Sequence, residues 1–154
     1  MTELRIRKDD LGGPEIAALL RAHLDHAATH SPPESIHALD LEALRAPEIT
    51  FWSAWSDGAL AGCAALKQLA PDHGEVKSMH TALAHRGKGV AARLLTHLLA
   101  EAKARGYRRV SLETGTMEGF AAARALYARF GFTVCPPFAQ YREDPHSVCM
   151  TRLL

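Results

Sequence analysis

From Thr81 to Ala92 the chain reads Thr-Ala-Leu-Ala-His-Arg-Gly-Lys-Gly-Val-Ala-Ala. Gly87 and Gly89 let the backbone turn tightly and approach a ligand closely. The helix-periodic residues that follow put this turn at a helix N-terminus, where the first amides lack intrahelical partners and the helix dipole favours an anion. Arg86 and Lys88 add positive charge. The chemistry that follows is a phosphate or pyrophosphate cradle built from backbone amides. The same turn fits a dinucleotide fingerprint through Gly87-x-Gly89-x-x-Ala92, with Glu113 at the end of the next strand. A doubly wound dinucleotide fold, however, needs a second half that the chain lacks, since only one further strand–helix unit follows.

A second segment, Ala123-Arg124-Ala125-Leu126-Tyr127-Ala128-Arg129-Phe130-Gly131-Phe132, has the form Ala-x-x-Leu-Tyr-x-x-x-Gly-Phe. Arg86, Gly89 and Ala91 meet the pattern Arg or Gln, two residues, Gly, one residue, Gly or Ala. In that order, with a strand between them, the two motifs make the chain resemble the GNAT N-acetyltransferases across roughly residues 74–134. Further strings, Ser31–Leu39, Ile49–Trp55, Leu112–Gly115 and Glu143–Pro145, are similar to a bacterial YsnE-like subgroup of that family.

The resemblance implies acetyl-CoA as cosubstrate and a primary amine as acceptor, joined by direct attack in a ternary complex without a metal. It implies that the amides of Gly87, Lys88, Gly89, Val90, Ala91 and Ala92 hold the pyrophosphate, with Arg86 serving the turn. A strand amide near Met79 or His80 would polarise the thioester carbonyl; Thr81, Phe120 and Arg124 complete the implied acetyl-CoA site. Tyr127 corresponds to the tyrosine that assists departure of the thiolate, and Glu75 to a base acting directly or through water. A primary amine is mostly protonated at neutral pH and cannot attack until it loses that proton. His80 and Glu113 are the alternative bases. Where the family often has Asn, seven residues before the tyrosine, this chain has Phe120, so packing or another polar group must hold the pantetheine arm there. A non-catalytic acyl-CoA-binding module and, from the same turn, a dinucleotide-dependent oxidoreductase remain the other readings.

The elements that must position these residues follow from periodicity. A strand is expected around Leu4 and Ile6, a helix from Pro14 to Ala28, and a short helix from Leu39 to Arg45. Strands follow at Ile49–Trp55 and Leu60–Leu69, joined through Asp57-Gly58, and at Glu75–Thr81. Ala91, Leu94, Leu95, Leu98 and Ala102 line one face of the next helix, which Gly106 closes. Then come a strand at Val110–Thr114, a helix through Phe120–Phe130, and terminal strands ending at Val148–Met150. Antiparallel-type strands followed by strand–helix–strand units argue an α/β (α+β) fold: a GNAT-like mixed, mainly antiparallel sheet with helices on both faces. In that family the fourth and fifth strands splay and the CoA ester lies between them.

The 154 residues suit a single domain. A formal net charge of +1 gives no reason to expect nucleic acid or membrane as partner. The alternating N-terminal run does not read as a signal peptide, and three cysteines without metal-ligand spacing suit a cytoplasmic protein. His23, His26 and His30 share a helix face, but no fourth ligand accompanies them, so no metal is expected. The expected partners are a small-molecule amine and, in a homodimer, a second copy of the chain. Pro32 and Pro33 stiffen one wall of the acceptor end; Pro136, Pro137 and Pro145 stiffen the other, with Phe138 and Tyr141 free to pack over it. Ser35, His37 and Arg142 could recognise a carboxylate, which would make the acceptor amino-acid-like.

Overall fold

The computed structural model describes residues 3–154; Met1 and Thr2, which open the expected N-terminal strand, lie outside them. Seven strands form one sheet: β1 (Leu4–Lys8), β2 (Ile49–Ser56), β3 (Ala59–Ala70), β4 (His73–Thr81), β5 (Arg109–Gly115), β6 (Thr133–Cys135) and β7 (Ser147–Leu153). Their order is β1-β2-β3-β4-β5-β7-β6. Every pairing is antiparallel except β4 with β5. Three helices, α1 (Pro14–His30), α2 (Val90–Ala104) and α3 (Ala121–Arg129), complete the fold.

Two apolar clusters flank the sheet. On one side α1 buries Ile16, Leu19 and Leu20 against Phe51, Cys63 and Ala65. On the other, Leu94, Leu95 and Leu98 of α2 meet Trp52, Leu66, Val76 and Leu112, joined by Leu126 and Tyr127 of α3. The expected mixed sheet with helices on both faces is the fold observed. No helix among the described residues is long and apolar enough to cross a membrane.

The decisive feature is how little of β4 pairs with β5. The parallel ladder runs only from His73–Glu75 to Arg109–Ser111, after which the strands separate. A bulge in β4 accompanies the separation. Cys63 faces His80 and Ala65 faces Lys77, so two β4 residues oppose the single Ala64 of β3. Ser78 sits in the left-handed region at φ 53°, an uncommon conformation for a residue with a side chain. Glu75, Lys77 and His80 pair with Lys67, Ala65 and Cys63, which alternate along β3. The three β4 side chains therefore share one face, a placement that regular two-residue alternation would deny His80.

The expected helix at Leu39–Arg45 is only a 3₁₀ turn, Ala43–Arg45. Asp40 Oδ1 accepts the Ala43 amide at 2.8 Å, and Pro47 lies two residues beyond the turn, leaving no length for a stable helix. Phe120 ends a second such turn, Glu118–Phe120, one residue before α3 begins.

Candidate active site

Where β4 and β5 part, a cleft of ≈ 470 Å³ runs through the molecule. One end lies at the turn before α2. Gly87 and Gly89 have φ values of 76° and 79°, which only glycine adopts without strain. Gly89 is the N-cap of α2, and the first amide bonded back toward the turn is that of Arg93, to the Gly89 carbonyl at 3.1 Å. No backbone hydrogen bond among the described residues occupies the amides of 87 through 92. These successive donors at a helix N-terminus fit the pyrophosphate of a CoA ester. Arg86, Gly87, Gly89, Val90, Ala91 and Ala92 line the cleft. Lys88 does not; its side chain is exposed on the turn.

Thr81, His80 and Met79 of β4 form the next stretch of wall, opposite Phe120, Ala123 and Tyr127. Phe120 lies against Gly115, where an added Cβ would sit 2.2 Å from the ring, so only glycine accepts the phenyl group there. The same ring meets His26 and His30 edge-on. Arg124 is elsewhere than expected. Its Nη1 donates to the carbonyls of Gly115 and Met117 at 2.8 and 3.0 Å, tying down the link from β5 to α3, and it does not line the cleft.

Tyr127 is buried, and among the described residues its hydroxyl makes no hydrogen bond. Burial, and secondarily the Glu113 carboxylate, push its pKa above the ordinary phenol value, so it keeps its proton at neutral pH. Glu113 is itself raised, chiefly by burial and also by Glu75, although Ser147 Oγ donates to its Oε2 at 2.6 Å.

Glu75 is fully buried at 1% exposure, not the exposed strand-end carboxylate that its position suggests. Lys77 Nζ reaches its Oε2 at 3.3 Å and donates to the Tyr141 hydroxyl at 2.8 Å. The Tyr141 hydroxyl in turn donates to Glu75 Oε2. The other oxygen, Oε1, is buried without a protein partner. Lys77 was not anticipated from the sequence. Its available signal was the Glu75-x-Lys77 spacing, which places opposite charges on one face of a strand.

His80 and His23 share a hydrogen bond between their Nδ1 atoms at 3.1 Å, so the two imidazoles must be opposite tautomers. Burial lowers His80 to about 3, aided by His23, Arg86 and His26, and lowers His23 to about 4, aided by His26. Both are neutral at pH 7. His26 Nε2 donates to the Gly119 carbonyl at 3.2 Å. Among the described residues no group of His, Cys, Asp and Glu is arranged to hold a metal.

Below the ordinary histidine value of about 6.5 the unfolded chain takes up protons that the folded His23 and His80 refuse. Stability should therefore fall as pH drops from about 6.5 toward 4, by about 1.4 kcal/mol for each decade a pKa is displaced. Thermal melts between pH 7.5 and 4.5 test this; the slope should shrink in His23→Gln, and an unchanged slope would contradict the assignment.

The other end of the cleft is closed by two links. Ser35 Oγ, on the link from α1 to β2, donates to Asp144 Oδ2 at 2.5 Å on the link from β6 to β7. His37 meets the Tyr141 ring edge-on at 5.0 Å between centroids. Ser35 and His37 line the cleft. Arg142 is a correction to the sequence-based expectation: it is exposed, outside the cleft, and makes no side-chain hydrogen bond among the described residues. Its neighbour Tyr141 turns inward to Glu75, while Arg142 and Glu143 after it both lie on the solvent side.

An amide-lined turn opening onto the gap between two splayed strands defines an acyl-CoA-dependent transferase. Residues 16–132 match the Acetyltransferase (GNAT) family, and the chain belongs to that family. It is 56% identical over 151 residues to the uncharacterized N-acetyltransferase YsnE of Bacillus subtilis (strain 168), covering 98% of this chain and all of that one. The crystal structure of a putative acyl-CoA N-acyltransferase from Klebsiella pneumoniae superposes with a TM-score of 0.78 at 29% identity, covering 98% of this chain and 97% of the other. A GNAT acetyltransferase from Elizabethkingia anophelis with acetyl-CoA bound has the same fold, at a TM-score of 0.69 and 18% identity over 98% of each chain.

Proposed function

We propose that this chain transfers the acetyl group of acetyl-CoA to a primary amine of a small molecule, by direct attack within a ternary complex. The observation that carries the proposal is the single cleft itself. It joins the turn at Gly87–Ala92 at one end to the buried Glu75, the half-buried Glu113 and the Tyr127 wall at the other. The cosubstrate supplies an activated acyl carbon, and the residues of the chain handle the protons.

In this scheme Glu75 takes the amine proton at Oε1, directly or through a water molecule. That oxygen is buried with no hydrogen-bond partner among the described residues, while Oε2 is held by Lys77 and Tyr141. The freed nitrogen attacks the thioester carbon, whose oxygen is polarised by an amide of the β4 bulge near Met79 or His80. The carbon–sulfur bond then breaks, the thiolate takes the Tyr127 proton, and the second proton that the acceptor nitrogen loses restores Tyr127, while Glu75 releases the first to solvent. His80 is the less suitable base, because burial has lowered its proton affinity far below that of a carboxylate-assisted site. The latched links at Ser35–Asp144 and His37–Tyr141 support a small acceptor over a long peptide. The free cysteines Cys63, Cys135 and Cys149 support a cytoplasmic setting.

Thiol release from acetyl-CoA across a panel of free amines and lysine-containing peptides tests the proposal. Small amines should release CoA thiol, and acetylation of peptides alone would overturn the small-acceptor reading. Binding of acetyl-CoA without turnover of any amine would leave only the acyl-CoA-binding module.

Tyr127→Phe should lower kcat about 10²-fold while changing the acetyl-CoA KM little, because proton donation acts in the transition state. Steady-state kinetics of a folded variant check this. Unchanged kcat would leave Tyr127 as a packing residue beside Phe132.

A further inference from the structure

The acceptor end of the cleft carries more negative than positive charge. Glu75 and Glu113 both line it, and Lys77 is the only Lys or Arg side chain among the described residues that is buried beside them. That ammonium is already committed: it donates to Glu75 Oε2 at 3.3 Å and to the Tyr141 hydroxyl at 2.8 Å, and is only 8% exposed. Ser147 is the only hydrogen-bond donor to the Glu113 side chain among the described residues, and the hydroxyl is uncharged. Arg142 faces solvent. Arg86 and Arg129 line the cleft from the α2 turn and the end of α3, away from this cluster. His37, the neutral His80 and the Tyr127 phenol are further titratable groups lining the cleft here, and Asp144 is occupied by Ser35 and the His146 amide.

A second observation points to the ligand. Glu75 lines the cleft yet is only 1% exposed, and its Oε1 is buried with no hydrogen-bond donor among the described residues. A buried carboxylate oxygen without a donor is costly unless a ligand supplies one. Two carboxylates sharing one committed cation are completed by a second cation, and a primary ammonium is both that cation and a three-fold donor.

From this geometry we infer that the acceptor is an amine without a carboxylate beside its amino group, a monoamine or diamine and not an amino acid. The inference rests on the N-acetyltransferase reading above and narrows its substrate. An α-carboxylate would enter next to Glu75 and Glu113, and the one ammonium able to meet it would have to leave Glu75. Such a placement adds a third negative charge where the dielectric is low and screening is weak. Glu113 then acts as the residue that selects for acceptor charge, since among the described residues no cation hydrogen-bonds it.

The test compares molecules that differ only in the carboxylate: cadaverine with lysine, and tyramine with tyrosine. Calorimetric binding to the CoA-loaded protein and thiol release from acetyl-CoA are both measured at pH 8. Cadaverine and tyramine should bind at least tenfold more tightly than their carboxylated counterparts and show the larger kcat/KM. Glu113→Gln should shrink that preference severalfold in binding. Equal or tighter binding of lysine and tyrosine overturns the inference, as does failure of all four to bind. A folded Glu113→Gln protein with undiminished preference overturns the role of Glu113. Tight binding of cadaverine or tyramine without any thiol release would sustain the charge selection and refute the transfer reaction instead. Preferred acetylation of the amino acids would do the reverse.

Discussion

Gly89→Val should abolish useful CoA binding, lowering affinity about 100-fold or more. Gly89 is the N-cap of α2 at φ 79°, where a β-branched residue is strained by about 1–3 kcal/mol. Space is not the obstacle inside the protein, since nothing lies within 4 Å of an added Cβ. The backbone must instead leave the left-handed region, and the amides around it then turn away from their common focus. Hydrogen bonds to a charged phosphate contribute about 1.5–3 kcal/mol each, so misaiming one or two of them accounts for the loss. Calorimetry with CoA checks the affinity, and a melt without ligand checks that α2 remains docked through Leu94, Leu95 and Leu98. Wild-type affinity in a folded Gly89→Val protein would place the pyrophosphate elsewhere.

The second large effect belongs to Glu75→Gln. Removal of a general base should cost about 10²–10⁴ in turnover at neutral pH, with partial recovery at higher pH as free amine becomes available. Stability should fall too. The change strands the Lys77 ammonium, 6% exposed at the side chain, with Tyr141 as its only remaining partner. Breaking one side of a buried pair costs about 3–5 kcal/mol. Two consequences of one substitution are separable by a second. Glu75→Gln combined with Lys77→Met should regain most of the lost thermal midpoint and none of the lost turnover. Activity that returns along with stability would show Glu75 to be structural, and the base would then be Glu113.

These expectations divide according to where their information lies. The glycine turn before α2 was legible because every part of it is local. Two glycines, flanking basic residues and an amphipathic run define a helix N-terminus within a dozen consecutive residues, and the structure shows that terminus at Gly89. The Leu126-Tyr127 block is local in the same way, since helical periodicity alone turns both residues inward. The sheet was legible from its alternating runs and its Asp57-Gly58 turn.

What no local pattern contains is the separation of β4 from β5 beyond Glu75, because that gap depends on two strands more than thirty residues apart. Nor does alternation reveal the bulge at Ser78, which adds one residue to β4 and so moves His80 onto the face of Glu75 and Lys77. Charge identity alone could not distinguish Lys77, turned inward by strand register, from Arg142, carried outward on a link whose course is set by Tyr141 and Asp144. By itself the sequence determined the fold class, the glycine turn at the N-terminus of α2 and the inward-facing Leu126 and Tyr127, since these depend on spacing along one element. Only the tertiary structure decided which charges meet at the acceptor end, since a buried ion pair is a property of strands packed side by side and of the water they exclude.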